Sequence, residues 1–310
     1  MTALLEVDHV SKQFGVGGLL SRRRVDAVSD VSFAITAEVP DIFTIIGESG
    51  SGKTTLARMI LGLEKPSSGE IRYAGKVVSG TGSRAERLEF MAAVQPVFQN
   101  PFEAFNPLKR VDRYLASTAR RFLGTADDAA TDKAMDEALQ KVGLSLAEVR
   151  GRYPHELSGG QLQRAAIARA LICKPSLLIT DEPVSMVDAS LRMSIVNLLK
   201  SLRDELGVSV IYITHDLATA YYIADRILIM QQGCAVEIGP ARVILDAPKH
   251  PYARLLKASV LSAADAGQGK LMPATELMRE CEELLKRDDA GRLVTQEDGR
   301  QVREYSAGSP

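Results

Sequence analysis

The chain has 310 residues, 45% hydrophobic and 25% charged, which is ample for a buried core and ordinary for a soluble globular protein. Its 38 basic and 39 acidic side chains leave a formal net charge of -1, so no general electrostatic grip on nucleic acid or anionic lipid is expected. Cys173, Cys234 and Cys281 are far apart and form no Cys-x-x-Cys pair, which argues against a disulfide framework or a metal cluster and fits a reducing compartment.

The start, MTALLEVDHV, lacks a positive region followed by a long apolar one, so no secretory signal is expected. Leu5 and Val7 alternate with Glu6 and Asp8, and Val31, Phe33 and Ile35 repeat with period two, the pattern of two strands. Between them lies a Gly-rich insertion, 15–24, whose Arg22-Arg23-Arg24 run reads as a solvated loop. Phe43 to Ile46 is a short apolar run leading into glycine-rich sequence, and Thr54 to Leu61 turns helical, with Gly62 as its C-cap. Ile71 to Val78 reads as a hairpin turning near Gly75. Arg84 to Tyr153 is polar and helix-rich apart from a Pro/Asn-punctuated segment, Gln95 to Pro107. That change of texture predicts a helical subdomain, about 84–155, inserted into an α/β core.

Strand–helix alternation then resumes. Ser176 to Thr180 is a strand, Ala189 to Leu206 a helix stopped by Gly207, and Val208 to Thr214 a second strand, which predicts a parallel sheet with right-handed crossovers. The most apolar stretch, Val208 to Met230, is broken by His215, Asp216, Asp225 and Arg226, and no uninterrupted apolar run approaches the roughly 20 residues needed to cross a bilayer. Any membrane role must therefore come through another chain. After about Pro248 an appendage begins: Leu277, Met278, Cys281, Leu284 and Leu285 share one helical face, and 291–305 reads as a hairpin turning at Asp298-Gly299.

Three segments carry chemistry. Gly47-Glu48-Ser49-Gly50-Ser51-Gly52-Lys53-Thr54 satisfies G-x-x-x-x-G-K-[ST] between an apolar strand and a helix. Glycines there let backbone N–H groups converge on phosphate oxygens at a helix N-terminus, with Lys53 reaching the β- and γ-phosphates and the Thr54 hydroxyl a ligand for Mg2+. Leu177 to Glu182 is an apolar strand ending in two acids. Asp181 is placed to hold Mg2+, directly or through water, and Glu182 to take a proton from attacking water. Ser158-Gly159-Gly160-Gln161 is a capping box opening an Ala-rich helix, Ala165 to Ile172, and a second anion site within one chain.

Leu157 to Arg164, just ahead of the Asp181 strand, resembles the signature motif of ABC ATPases. In that family the motif faces the γ-phosphate held by the opposite subunit, which makes Ser158, Gly159, Gly160 and Gln161 nucleotide contacts along with Gly47, Ser49, Gly50, Ser51, Gly52, Lys53, Thr54 and Thr55. The resemblance implies further roles. Gln99 matches the Q-loop glutamine that touches Mg2+ or water, so Thr54, Gln99 and Asp181 form the expected metal set. Asp188 matches the D-loop aspartate, preceded here by Met186-Val187 where Ala-Leu is more usual. His215 matches the switch histidine, which joins Glu182 and Gln99 as a catalytic candidate. Phe14 resembles the aromatic that stacks on adenine and could equally be a strand-end core residue.

The resemblance covers roughly 4–262 and implies an α/β fold: a P-loop (RecA-like) parallel-sheet core with an antiparallel β subdomain, an inserted helical subdomain and a C-terminal α+β appendage. The expected division is an ABC ATPase domain, 1–248, and an extension, 249–310. Phe98 to Pro107, His250 to Leu256 and the 15–24 insertion resemble the oligopeptide/dipeptide importer branch, which also serves nickel and oligosaccharide importers. The cysteine-rich tail frequent in that branch is lacking, so no iron–sulfur site is carried over. The implied cofactors are ATP and Mg2+. The implied partners are two membrane-spanning permease subunits, a second ATPase subunit of the same or a related chain, and indirectly an extracytoplasmic solute-binding protein, with no nucleic acid. The implied place is the cytoplasmic face of the inner membrane, and the implied solute a peptide or an oligosaccharide. A soluble ABC ATPase acting on ribosomes or DNA is the alternative, but such relatives usually carry tandem domains or long coiled coils. A degenerate nucleotide-binding subunit is disfavoured by the intact Lys53, Glu182 and His215.

Overall fold

Residues that are apolar on both faces of short strands set the architecture of the computed structural model, which describes residues 2–15, 24–78, 83–185, 187–264, 272–285 and 291–305. Most of the 15–24 insertion, including Arg22 and Arg23, lies outside them. Two long strands come first, β1 (Ala3–Gly15) and β2 (Arg24–Thr36), then β3 (Ile42–Ile46) and α1 (Lys53–Ile60) on either side of the glycine-rich loop. A hairpin, β4 (Ser68–Tyr73) and β5 (Lys76–Val77), precedes α2 (Arg84–Ala93) and β6 (Val94–Val97). Helices α3 (Pro101–Ala104), α4 (Val111–Leu123), α5 (Asp128–Gln140), α6 (Leu146–Val149) and α7 (Gly159–Ile172) follow. Alternation returns with β7 (Leu177–Asp181), α8 (Ala189–Leu206), β8 (Ser209–Thr214), α9 (Leu217–Ile223), β9 (Arg226–Gln231) and β10 (Cys234–Pro240). Helices α10 (Ala241–Asp246), α11 (Pro251–Ala264) and α12 (Met272–Leu285) lead to a hairpin, β11 (Arg292–Thr295) and β12 (Gln301–Glu304).

The strands order as β5-β4-β1-β2-β10-β9-β3-β8-β7-β6. From β9 to β6 all neighbours are parallel, with β3 inside, whereas β1, β2, β4 and β5 pair antiparallel. Parallel strands need helical crossovers, so both faces of this half are covered. Alternate residues divide between two cores. Ile42, Leu178, Val210 and Tyr212 face α4, α5, α7 and α8, while Phe43, Ile45, Ile179 and Ile211 face α1 and the antiparallel strands. β2 meets β10 at a single pair, Cys234 with Ser29. The parallel core with an antiparallel subdomain is as the sequence implies.

One stretch differs. Val94–Val97, within the 84–155 bounds expected for the helical subdomain, is the parallel edge strand beside β7, and α2 sends Phe90 against Tyr73 of β4. Four residues containing Gln95 and Pro96 give no period-two signal, and proline, lacking an N–H, is tolerated at an edge. In α12, Leu277 and Cys281 are buried while Met278 is 53% exposed, because an i, i+4 stripe is narrower than the five-residue face expected.

The chain after α10 is welded to β10 by a charge pair. Glu237, fully buried, accepts from Arg300 Nη1 at 2.9 Å and from the backbone N–H groups of Lys249 and His250 at 3.2 and 3.1 Å. Arg300 also donates to the carbonyls of Ala247 and Val243. Arg300→Ala leaves a buried carboxylate without its counter-ion and is expected to lower the unfolding free energy by about 3–5 kcal/mol. Urea denaturation of the full chain checks this, and a loss under about 1 kcal/mol contradicts it.

Candidate nucleotide-binding site

The loop between β3 and α1 owes its shape to three glycines. A Cβ on Gly47 would lie 2.2 Å from the Met230 carbonyl oxygen, and one on Gly52 2.2 Å from that of Ala27. Gly50 and Gly52 have φ of 83° and 99°, a left-handed backbone that other residues adopt at a cost. The loop is thus pressed between β9 and β2. Lys53, 6% exposed, folds back into it: Nζ donates to the carbonyls of Gly47 and Glu48, both at 2.7 Å, and lies 3.5 Å from Ser51 Oγ. Burial lowers the Lys53 pKa, opposed by the charges of Glu182, Asp181 and Glu48. A buried ammonium ringed by loop oxygens at a helix N-terminus is suited to phosphate oxygens. Ser49 and Gly50 are exposed, and Thr55 is half-buried.

Strands β7 and β8 end at the same edge of the sheet as β3. Asp181 Oδ2 accepts from Thr54 Oγ1 at 2.9 Å, and burial pushes its carboxyl up, opposed by that hydroxyl. Two hard oxygen donors this close, one of them a half-buried carboxylate whose charge a cation would stabilise, fit Mg2+, which keeps several waters beside one or two protein ligands. Glu182 follows with φ of 46°, and its N–H donates to the Ile213 carbonyl at 2.9 Å. This left-handed step, uncommon outside glycine, turns the chain away from the strand path. Glu182 Oε2 accepts from Gln99 Nε2 at 3.0 Å, and Oε1 is 2.9 Å from His215 Nδ1. A carboxylate only accepts, so Nδ1 carries the proton and Nε2 is left for another partner.

The structure therefore brings Lys53, Thr54, Asp181, Glu182, Gln99 and His215 together. The signature residues stand apart from this cluster. Ser158 Oγ accepts from Gln161 N at 3.2 Å, and Gln161 Oε1 accepts from Ser158 N at 3.0 Å, closing the expected capping box with Ser158 exposed. Gly160 lets α7 approach α8, since a Cβ there would lie 2.9 Å from Leu191 Cδ1. Asp188 is an exposed N-cap of α8 whose side chain makes no cap bond. Phe14, at the end of β1, is 38% exposed with Lys12 Nζ 5.0 Å above its ring, so it is not a core residue.

Residues 28–185, which hold the loop, Gln99, the capping box and both acids, match the family described as ABC transporter. The oligopeptide transport ATP-binding protein OppF of Haemophilus influenzae is 39% identical over 262 residues, covering 83% of this chain and 78% of that protein. The chain belongs to the ABC transporter family. It is an ATP-binding and ATP-hydrolysing subunit of that family. OppF of Bacillus subtilis is 38% identical over 257 residues, 83% of this chain and 82% of that one. Among solved structures, the dimeric post-hydrolysis state of the ATP-binding cassette MJ0796 bound to ADP and Pi matches with a TM-score of 0.67 at 27% identity, over 77% of this chain and 99% of that one. The cbiO1 structure from Clostridium perfringens, at 24% identity and a TM-score of 0.67 over 90% of this chain, shares the fold of the ABC cassette. Among the described residues no helix is long and apolar enough to cross a membrane.

Two residues of this ABC chain lie inside segments the family resemblance marks, His250 to Leu256 and Leu157 to Arg164, without a role being assigned to them. Tyr252, far along the chain, accepts a hydrogen bond from Glu48 N at 2.9 Å. Gln163, fully buried within α7, has no partner for either side-chain polar atom. The motifs locate these residues, but what their polar atoms do is visible only in the fold.

Lys53→Ala is expected to fold, since it removes a charge whose burial is unfavourable, and to weaken MgATP binding about 10- to 100-fold, the range for charge-assisted hydrogen bonds. Titration of the purified chain with nucleotide tests this, and unchanged affinity refutes the phosphate-loop assignment.

Proposed function

We propose that this ATPase hydrolyses MgATP at a seam between its own phosphate loop and the Ser158 end of α7 in a second ATPase subunit, and that this cycle drives uptake of oligopeptides. The observation that carries the reading is the pair of hydrogen bonds from Gln99 and His215 to Glu182, beside the Thr54–Asp181 contact. Lys53 exchanges its loop carbonyls for phosphate oxygens. Thr54 and Asp181 are the residues that would hold Mg2+, with Gln99 reaching it or a water through the amide oxygen not facing Glu182. Bound there, the metal supplies neutralisation of phosphate charge. Glu182 accepts the proton of the attacking water, held in place by Gln99 on one oxygen and His215 on the other. His215 presents Nε2 outward, toward the place where a γ-phosphate would emerge.

Ser158, Gly159, Gly160 and Gln161 open a helix whose N-terminus favours an anion, and the side chains of Ser158 and Gln161 bond to each other's N–H groups, not to the phosphate loop. A site divided in this way is completed by a second subunit, a copy of this chain or a close relative, with Asp188 at the seam and exposed Phe14 stacking on adenine. The dimeric MJ0796 cassette supports that arrangement, and the OppF relatives support oligopeptide as the solute class. Coupling to uptake requires membrane-spanning permeases and an extracytoplasmic binding protein, which would hold the chain at the cytoplasmic face of the membrane. The helical subdomain, about 84–155, would be the part that Gln99 joins to the core.

Ser158→Arg is expected to abolish hydrolysis by the assembled transporter while the isolated subunit still binds nucleotide. The lost cap itself removes only about 1 kcal/mol of stability. Equal loss of binding by the monomer would show that the motif acts within its own chain.

Glu182→Gln keeps size and hydrogen bonding but cannot take a proton. Turnover should fall about 100- to 10,000-fold with MgATP retained, and an ATP-stabilised dimer should accumulate. Turnover and retained nucleotide are measured on the same sample. Near-normal turnover removes Glu182 from the chemistry, and rapid ATP release removes the closed dimer.

A further inference from the structure

The phosphate loop has a support from far along the chain. Tyr252, at the start of α11, is 3% exposed in a small core with Ile46, Ile227, Ile229, Val236 and Cys281. Its hydroxyl accepts from the N–H of Glu48 at 2.9 Å. That N–H belongs to the same peptide unit as the Gly47 carbonyl, which accepts from Lys53 Nζ at 2.7 Å. The peptide is trans, so its N–H and C=O point in opposite directions from one rigid plane. The plane is therefore gripped at both ends, by the tyrosine on one side and by the lysine on the other. Burial raises the Tyr252 phenol to about 12, so it remains a neutral hydroxyl.

Tyr252 is itself fixed from behind. Its N–H donates to His250 Nδ1 at 3.2 Å, and His250 Nε2 lies 3.3 Å from the Tyr305 hydroxyl. The His250 N–H donates to Glu237, the carboxylate that also holds Arg300. Burial pushes the His250 imidazole down to about 4, which keeps Nδ1 an acceptor. A continuous path of hydrogen bonds thus runs from the terminal hairpin to the loop.

We infer that Tyr252 is a positioning residue for the phosphate loop: its hydroxyl fixes the Gly47–Glu48 peptide whose carbonyl aims Lys53, and the C-terminal segment thereby sets the loop's affinity for nucleotide phosphates. This rests on the phosphate-loop assignment above.

The test is Tyr252→Phe in the full-length chain, which keeps the ring in its core and removes only the acceptor. The KM for MgATP should rise about 3- to 10-fold, the usual effect of one unmade hydrogen bond, and ADP affinity should fall by a similar factor. kcat should stay within about twofold, because Glu182, Gln99 and His215 do not touch that peptide. A residue that merely fills space would lower Tm without this split. KM and ADP affinity both within about twofold of wild type overturn the inference, as does a fall in kcat at unchanged KM. Should the variant fail to fold, amide exchange of Glu48 in the wild-type chain decides. Protection supports the bond, and exchange at the rate of a free loop amide refutes it. Lys53→Ala is measured alongside. If it loses affinity and Tyr252→Phe does not, only this inference fails, whereas unchanged affinity in Lys53→Ala removes the assignment beneath it.

Discussion

A buried ammonium cannot go without oxygen partners, and in this protein the whole phosphate loop is arranged around that need. Lys53 takes the carbonyls of Gly47 and Glu48, which obliges the loop to curl over its own helix. The curl brings backbone against backbone at Met230 and Ala27, where only glycine fits. The glycines let β9, β2 and α1 come this close, and the lysine's contacts hold the loop between them. In the proposed reading a phosphate would replace these loop oxygens on the lysine, so affinity would reflect a difference between two sets of contacts.

The acids depend on a second constraint, the common edge at which parallel strands finish. β7 delivers Asp181 to Thr54 while still extended, and the left-handed residue that follows sends Glu182 toward Gln99 and His215. Two adjacent carboxylates thus acquire different surroundings from one backbone turn. One is half-buried against a hydroxyl beside the loop, and the other is held between an amide and an imidazole. Such separation would suit the roles proposed for them, one acid for a metal and its neighbour for a proton.

How much of this was legible depended on distance along the chain. The phosphate loop, the capping box at Ser158 and the paired acids are each contained in a few residues, so spacing alone exposes their chemistry. Strands such as Phe43 to Ile46 announce themselves because burial on both faces makes them continuously apolar. β6 did not, since Gln95 and Pro96 interrupt any pattern and its strand state comes from pairing with β7. The convergence of Gln99 and His215 on Glu182 spans 83 and 33 residues, and only the family resemblance placed them together in advance. Tyr252, 204 residues from Glu48, sits in the His250 to Leu256 segment that resembles the importer branch, but its role was not legible, because a tyrosine in an apolar helix reads as core until its hydroxyl is seen.

The junction of β10 with its neighbours has a consequence for solubility. β2 shares one residue pair with β10 and then diverges, and β12 takes over the exposed edge at Glu237 and Ile238. A chain ending before Arg292 would uncover that rim, together with a carboxylate that now meets no water. Unpaired strand edges recruit other strands, so the terminal hairpin works as a stopper that prevents the sheet from adding a foreign chain.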